Sequence, residues 1–391
     1  MGIQPQSAAG SAAVVDPIRL ESLLRRLVAT DSTNPPGGEA STVAVLADHL
    51  GRHGLRAETV EVLPGRPNLS VAFGSGDGPI LLLNAHMDTM PVGPGWSRSP
   101  YGAIIEDGLL YGRGACDAKG GLAAMVEAVV AIAAAKVNLR GRVVLDAVID
   151  EEAGAAGTLA NVAAGRRADW AIVAEPTELA IARVGNGQLD VTLSVHGRAA
   201  HGSMPDKGRS AIADAAALVA AFEAAHARLR ATPYPALGPA SYNVGTIEGG
   251  LQASIVAAEC RLEVDRRILP GSTIEAATAE IDALIESVRA ARPGLDVTRE
   301  VTLAIPPVEV PADSPVCVAL AAALRALGGA AIVGGLRATS DAAWLAAADI
   351  PAVVFGPGSL VDAHRPDERV ALADVELAAR ALVMTIVTLV G

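Results

Sequence analysis

Four short apolar runs, each followed by an acidic residue or a histidine, constrain the fold of this chain more than any other feature. The runs are residues 79–85, 142–149, 170–174 and 351–355. Apolar runs of this length between turn residues predict strands buried on both faces, as in a parallel sheet. The polar residues that follow them are His86, Asp88, Asp150, Glu151, Glu152, Glu175, His364 and Glu368. Because open α/β sheets bind ligands at the carboxyl ends of their strands, we expect a functional site at that edge.

His86 and Asp88 follow the first run directly. If the strand geometry continues, their side chains point the same way, because strand side chains alternate with a period of two. An imidazole beside a carboxylate is half of a metal or catalytic site. This pair alone is equally consistent with a polar strand end, and the recurrence of such residues after the other runs favours a site.

A glycine-rich stretch, residues 111–121, precedes a helical pattern over residues 122–135. Glycines let the backbone approach a buried centre closely, and Asp117 stands just before the predicted helix. The alternatives are a phosphate-binding loop and a turn that only packs a strand against a helix. The phosphate loop is disfavoured because the stretch has neither a Gly-Lys-Ser/Thr ending nor dinucleotide-type glycine spacing.

Composition limits the classes of partner. The formal net charge of −12 argues against nucleic acids and anionic membranes as partners, and no apolar stretch is long enough to span a bilayer.

Residues 1–16 are rich in Ser and Ala, lack the features of a signal peptide and are expected to form a loose tail. Three cysteines, an odd number, favour a reducing cytoplasm over a disulfide framework. We expect Cys116 to be a small packed residue.

The length of 391 residues predicts two domains. An inserted α+β domain of ferredoxin-like, split βαβ order is predicted over residues 188–304. Its elements are a strand at 189–195, a helix at 210–230, strands at 241–247 and 254–264, a helix at 272–292 and a strand at 295–303. Residues 17–187 and 305–391 would then form one discontinuous catalytic domain.

These motifs resemble the zinc-dependent aminoacylase and carboxypeptidase family, which includes acetylornithine deacetylase, succinyl-diaminopimelate desuccinylase and glutamate carboxypeptidase. The matching blocks are His86-Met-Asp88, Gly112-Arg-Gly-Ala-Cys-Asp117-Ala-Lys-Gly120, Asp150-Glu-Glu152, Ala174-Glu-Pro-Thr177, Gly197-Arg-Ala-Ala-His201-Gly and Ala363-His-Arg-Pro-Asp-Glu368. The resemblance implies a mixed-sheet α/β catalytic domain with helices on both faces, and an inserted ferredoxin-like domain that acts as a lid and in dimerisation.

The resemblance also implies two metal ions about 3.5 Å apart, bridged by Asp117. His86 and Glu175 would complete one site, and Glu152 and His364 the other. Zinc is the expected metal, with cobalt or manganese possible.

The remaining roles come from the same resemblance. Asp88 would orient the His86 ring, and Glu151 would be the general base. His201, from the inserted domain, would stabilise the oxyanion in the active site of a homodimer partner. Asn243, Arg267 and Thr339 would contact the substrate. For Arg267 the alternative is a structural ion pair with Asp265 or another acid.

The expected activity is hydrolysis of the amide of an N-acyl amino acid, as in acetylornithine deacetylase. Desuccinylase and carboxypeptidase or dipeptidase activity remain open, and a non-catalytic binding protein on the same fold is a remote alternative. The chain departs from many relatives after Gly249-Gly250, where Ser254 and Ala257 replace Asn and Pro.

Overall fold

The computed structural model of the protein describes residues 14–391, which divide into two compact units. The first comprises residues 14–183, 310–335 and 340–391, and the second comprises residues 184–309 and 336–339. Of the predicted N-terminal tail, only residues 14–16 fall inside the described part. In residues 14–391, no helix combines the length and the apolarity that crossing a bilayer requires.

The first unit is built on a mixed sheet with the strand order β1-β2-β6-β3-β7-β15-β8. Its strands are β1 (Glu58–Leu63), β2 (Arg66–Phe73), β3 (Ile80–His86), β6 (Arg142–Val148), β7 (Trp170–Val173), β8 (Ile181–Gly185) and β15 (Ala352–Val354). β8 also pairs with the short strands β13 (Val308–Glu309) and β14 (Val333–Leu336).

The centre of this sheet is parallel. β3 pairs in parallel with β6 and β7, and β15 pairs in parallel with β7. Side chains of β3 and β6 are buried from Leu81 and Val143 onward. Because successive strand side chains alternate between faces, both faces of the sheet are covered. The predicted α/β fold with a mixed sheet is confirmed, and the carboxyl ends of the four parallel strands meet at one edge.

Helices cover the faces of the mixed sheet. They are α1 (Pro17–Val28), α2 (Glu39–Arg52), α3 (Gly120–Ala134), α4 (Ala156–Ala163), α7 (Pro315–Ala326), α8 (Ala342–Ala347) and α9 (Leu372–Val390). α3 is buried on all sides from its start to Ile132, because it packs against the sheet and against α1 and α9. A helix buried in this way is mostly apolar, which explains its run of Ala, Val, Leu and Ile, and Glu127 is its buried charged residue.

A small antiparallel sheet adjoins the start of α3. It has the strand order β16-β5-β4, formed by β4 (Ile104–Glu106), β5 (Leu109–Tyr111) and β16 (Arg369–Ala371). β5 leads through an irregular turn at Ala115–Lys119 into α3. β16 follows directly after the segment that carries His364, so this sheet brings two distant chain segments together.

The second unit has an antiparallel sheet with the strand order β10-β11-β9-β12. Its elements are β9 (Gly187–His196), α5 (Ala211–Leu229), β10 (Ser241–Gly249), β11 (Glu259–Ile268), α6 (Ile274–Ala291) and β12 (Asp296–Ile305). This order is the predicted ferredoxin-like arrangement. Both helices begin where the sequence supplies a cap, because Ser210 and Thr273 accept hydrogen bonds from Ala213 and Ala276 N–H groups.

The predicted strand at residues 254–264 was wrong at its start. β11 begins only at Glu259. Residues 254–257 hydrogen bond to residues 200–211 instead of to a strand, for example from Val256 N–H to the Ala200 carbonyl at 2.9 Å. The apolar Ile255 and Val256 resemble a strand in sequence, but their backbone pairs with a loop.

Candidate metal centre

The chain after each parallel strand leads to a group of the predicted site. His86 is the last residue of β3, Glu151 and Glu152 follow β6, and Glu175 follows β7. Asp117 lies in the turn before α3, and His364 follows β15. All six side chains belong to the first unit.

The structure gathers the six side chains into two groups of possible metal ligands. One contains His86, Glu151 and Glu175, and the other contains Asp117, Glu152 and His364. Within each group, one ligand atom from each residue lies within 4.8 Å of the other two. The family resemblance implies that Glu151 is the general base. In the structure its carboxylate lies among atoms that could hold a cation.

Asp117 belongs to the second group and also contacts the first. Its Oδ1 is 3.3 Å from His86 Nε2, and its Oδ2 is 3.1 Å from His364 Nε2. The same His364 nitrogen is 3.1 Å from Glu152 Oε2. One carboxylate thus contacts an imidazole from each group.

Burial raises the pKa of Glu151 and of Glu175 well above the ordinary value, and neighbouring carboxylates add to the effect. Glu175 Oε1 is buried without a hydrogen-bond partner in residues 14–391. Buried carboxylates that crowd together are costly unless a cation or a proton compensates them. The contacts of His364 with Asp117 and Glu152 raise the pKa of that imidazole to about 10. Imidazole and carboxylate donors suit zinc and similar divalent ions, so the residues present fit a metal.

The carboxylate of Asp88 lies closer to the main chain of the two glutamates than to the His86 ring. Its oxygens accept the main-chain N–H groups of Glu151 and Glu152, each at 3.1 Å. His86 Nδ1 lies 3.0 Å from the Asp88 carbonyl oxygen and 3.6 Å from its carboxylate. The main chain of Asp88 therefore contacts the His86 ring, while its side chain anchors the following glutamates. The role of the Asp88 carboxylate in orienting the ring stays a prediction.

The turn around Asp117 depends on glycine. Gly114 has a φ of +80°, a conformation that residues with a Cβ rarely adopt. A Cβ there would come within 2.5 Å of Thr89 Cγ2. Asp117 itself has φ and ψ of −119° and 95°, so it is not part of the helix that follows. Cys116 is buried and free, as predicted for a packed residue.

The other predicted site residues lie in the second unit. His201 is exposed, and its Nδ1 is 2.8 Å from Ser203 Oγ and accepts the Ser203 main-chain N–H at 3.2 Å. Asn243 is paired with Asp265 across β10 and β11. Arg267 is two residues further along β11, so it shares that face of the sheet. Thr339 is half-buried.

Arg267 makes the ion pair that was the alternative to a substrate contact. Its Nε and Nη2 lie 3.1 Å and 3.0 Å from the two oxygens of Asp265. Any substrate carboxylate at Arg267 would have to share the guanidinium with Asp265.

Residues without a recognised motif also reach the site. Asn34 Nδ2 donates to Asp88 Oδ2 and to Asp150 Oδ1, each at 2.9 Å. Asp341 is buried, and its Oδ2 accepts the Thr158 hydroxyl at 2.8 Å. No spacing in the sequence marks either residue, because their contacts join segments that are far apart in the chain.

Two enzymes are similar to this chain in sequence over most of its length. The chain is 30% identical over 384 residues to N-formyl-4-amino-5-aminomethyl-2-methylpyrimidine deformylase of Bacillus subtilis (strain 168), covering 90% of each protein. It is 31% identical over 374 residues to acetylornithine deacetylase of Proteus mirabilis (strain HI4320), covering 90% of this chain and 92% of that enzyme.

A crystal structure of a tripeptidase from Staphylococcus aureus subsp. aureus Mu50 has the same fold. The TM-score is 0.81 at 24% identity, covering 96% of this chain and 99% of the tripeptidase. Residues 82–388 match peptidase family M20/M25/M40. The chain therefore belongs to this peptidase family, whose members hydrolyse amides and peptides.

Proposed function

We propose that this protein is a two-metal amidohydrolase that removes a short acyl group from the nitrogen of an amino acid, as acetylornithine deacetylase does. The observation that carries the proposal is the position of Asp117. Its Oδ1 lies beside His86 Nε2 in one ligand group, and its Oδ2 lies beside His364 Nε2 in the other. A carboxylate that contacts both ligand groups suits a site with two adjacent cations.

His86, Asp117 and Glu175 would hold one ion, and Asp117, Glu152 and His364 the other. Zinc is the expected metal, and cobalt or manganese would fit the same donors. Two ions bound there would polarise the amide carbonyl and acidify an attacking water. The unpartnered Oε1 of Glu175 supports this arrangement.

Glu151 is the proton carrier in the proposal. It would take a proton from water and return it to the leaving nitrogen. Burial raises its pKa in the protein without cations. Its main-chain N–H is fixed by Asp88, so the carboxylate starts from a defined position. Cations beside it would lower that pKa again, which keeps Glu151 able to accept a proton.

His201 would donate a hydrogen bond to the oxyanion. Because Ser203 N–H donates to Nδ1, the neutral ring carries its proton on Nε2. That nitrogen is then a donor, as the role requires. Asn243, Arg267 and Thr339 are proposed to contact the polar end of the substrate.

The proposal includes a homodimer. The second unit has a surface depression lined by the exposed apolar side chains of Leu251, Ile212 and Ile255. A contiguous exposed apolar surface favours an interface. All three cysteines are buried and free, which supports the expected cytoplasmic location.

The acyl group is proposed to be small because both sequence relatives remove one, a formyl group in the deformylase and an acetyl group in the deacetylase. Desuccinylase and dipeptidase or carboxypeptidase activities are the alternatives within the family.

Hydrolysis of a substrate panel tests the proposal. N-formyl, N-acetyl and N-succinyl amino acids and dipeptides would be offered to protein stripped of metal and to protein reloaded with zinc, cobalt or manganese. We expect metal-restored cleavage of the formyl or acetyl compounds. Preference for succinyl compounds or dipeptides would select an alternative substrate. No cleavage and no bound metal would support a non-catalytic binding protein.

A further inference from the structure

The segment after His364 reaches the turn that carries Asp117 through one buried side chain, Glu368. Glu368 is 1% exposed, and its Oε1 accepts the main-chain N–H groups of Cys116 and Asp117, each at 3.0 Å. Its carbonyl oxygen accepts the Gly112 N–H at 2.9 Å. Glu368 therefore holds the turn at both of its ends.

The carboxylate of Glu368 forms a buried ion pair with Arg113. Arg113, 2% exposed, donates from Nη1 to Glu368 Oε2 at 2.6 Å. Its Nη2 donates to the Pro91 carbonyl at 3.2 Å, and its main-chain N–H donates to the Pro100 carbonyl at 2.7 Å. A buried pair of this kind is costly to desolvate and can often be replaced by apolar residues without loss of stability. A contribution to stability is therefore a weak explanation for Glu368.

The position of Asp117 needs such an anchor. Its backbone is not helical, so the hydrogen bonds of α3 do not fix it. Its two oxygens nevertheless have to meet His86 and His364 at once. His364 is four residues before Glu368 in the chain, so the same residue fixes the backbone of Asp117 and the end of the segment that carries His364.

We propose that Glu368, held by Arg113, is a positioning residue that sets Asp117 and His364 relative to each other for metal binding. This inference rests on the proposed function, since it assumes that Asp117 and His364 are ligands. Groups that orient metal ligands are typically worth about 10- to 100-fold in metal affinity or activity when they are removed.

The chain offers a matched control. Glu127, in α3, is also fully buried, accepts a main-chain N–H from Asp16 at 2.9 Å, and pairs with Arg19 through both oxygens. It contacts none of the six proposed site residues. Glu127→Gln therefore removes a similar buried charge without affecting Asp117.

The experiment is calorimetric titration of the metal-free protein with Co²⁺, together with thermal unfolding of the metal-free forms. For Glu368→Gln we expect Co²⁺ affinity to fall about 10- to 100-fold, with a loss of melting temperature similar to that of Glu127→Gln. The control should bind Co²⁺ as the wild type does. Glu368→Asp is the second variant, because it keeps the charge but is one methylene too short to reach both amides, and it should also bind more weakly.

Two results would overturn the inference. One is wild-type Co²⁺ affinity in a folded Glu368→Gln or Glu368→Asp protein. The other is equal weakening in Glu127→Gln, which would mean that affinity follows stability alone. If the wild type itself bound no metal, the proposed function would fail first, so the two failures can be told apart.

Discussion

The carboxylate of Asp88 accepts a hydrogen bond of 3.1 Å from the main-chain N–H of Glu151. Its second oxygen accepts the Glu152 N–H at 3.1 Å and Asn34 Nδ2 at 2.9 Å. Asp88 is fully buried, so these bonds are not exchanged for water. One side chain thus fixes the start of the segment that carries both the proposed base and a proposed ligand.

Replacing Asp88 by Asn removes the charge and one acceptor, so the amides of Glu151 and Glu152 lose part of their anchor. We expect kcat to fall at least about tenfold even when metal is saturating. The control is Asp146→Asn, because Asp146 is equally buried and accepts hydrogen bonds from Ser70, Asn161 and Arg166. Steady-state kinetics should show normal turnover in the control. A similar loss of kcat in both variants would contradict the role given to Asp88.

Much of the site could be predicted because its residues follow apolar strands. β3, β6 and β7 are buried on both faces, so their sequences are mostly apolar runs, followed visibly by His86, Glu151 and Glu175. The parallel pairing then brings those ends together. The ligand and base roles of these residues stay predictions.

The supporting contacts could not be predicted in the same way. Asn34 reaches Asp88 across 54 residues of chain, and Glu368 reaches Asp117 across 251. Such contacts depend on how the segments pack, which no local pattern records. The mistaken strand start at Ser254 has the same cause, because apolar residues alone do not reveal the partner of a backbone segment.

His201 is expected to act on turnover and not on metal binding. His201→Ala should lower kcat by about 10²- to 10³-fold, the range found when one oxyanion donor is removed. Metal content should be unchanged. His196→Ala is the control, since His196 is another exposed histidine of the second unit. Unaltered kcat in His201→Ala would remove this residue from the mechanism.

Arg267 should act on substrate binding. If its guanidinium receives the substrate carboxylate, Arg267→Ala should raise KM about 10- to 100-fold, as expected for a charge-assisted hydrogen bond. The corresponding substrate with an amide in place of that carboxylate should show a much smaller change. Arg261→Ala is matched, because Arg261 lies on the same strand and pairs with Glu263 at 3.1 Å. If Arg267 only forms the ion pair with Asp265, the Arg267→Ala variant will change KM equally for the carboxylate substrate and for the amide substrate.

His49 should make the protein sensitive to acid. Burial, with the nearby charge of His53, lowers the pKa of His49 from 6.5 to about 4. As pH falls, the unfolded chain binds this proton first, so stability is lost between about pH 6.5 and about pH 4. Urea unfolding at about pH 7 and about pH 4.5 should show a smaller loss for His49→Gln than for the wild type. The exposed His196→Gln should match the wild type, and an identical loss in all three proteins would exclude His49 as a cause.

The most direct test of the central claim is to measure metal content and turnover together in Glu151→Gln. This glutamate lies within ligand distance of His86 and Glu175, so it could be either a ligand or the base. We predict two metal ions per chain, as in the wild type, and a loss of turnover of at least about 10²-fold. Turnover near that of the wild type would contradict the assignment of Glu151 as proton carrier. Loss of one metal ion would make it a ligand instead.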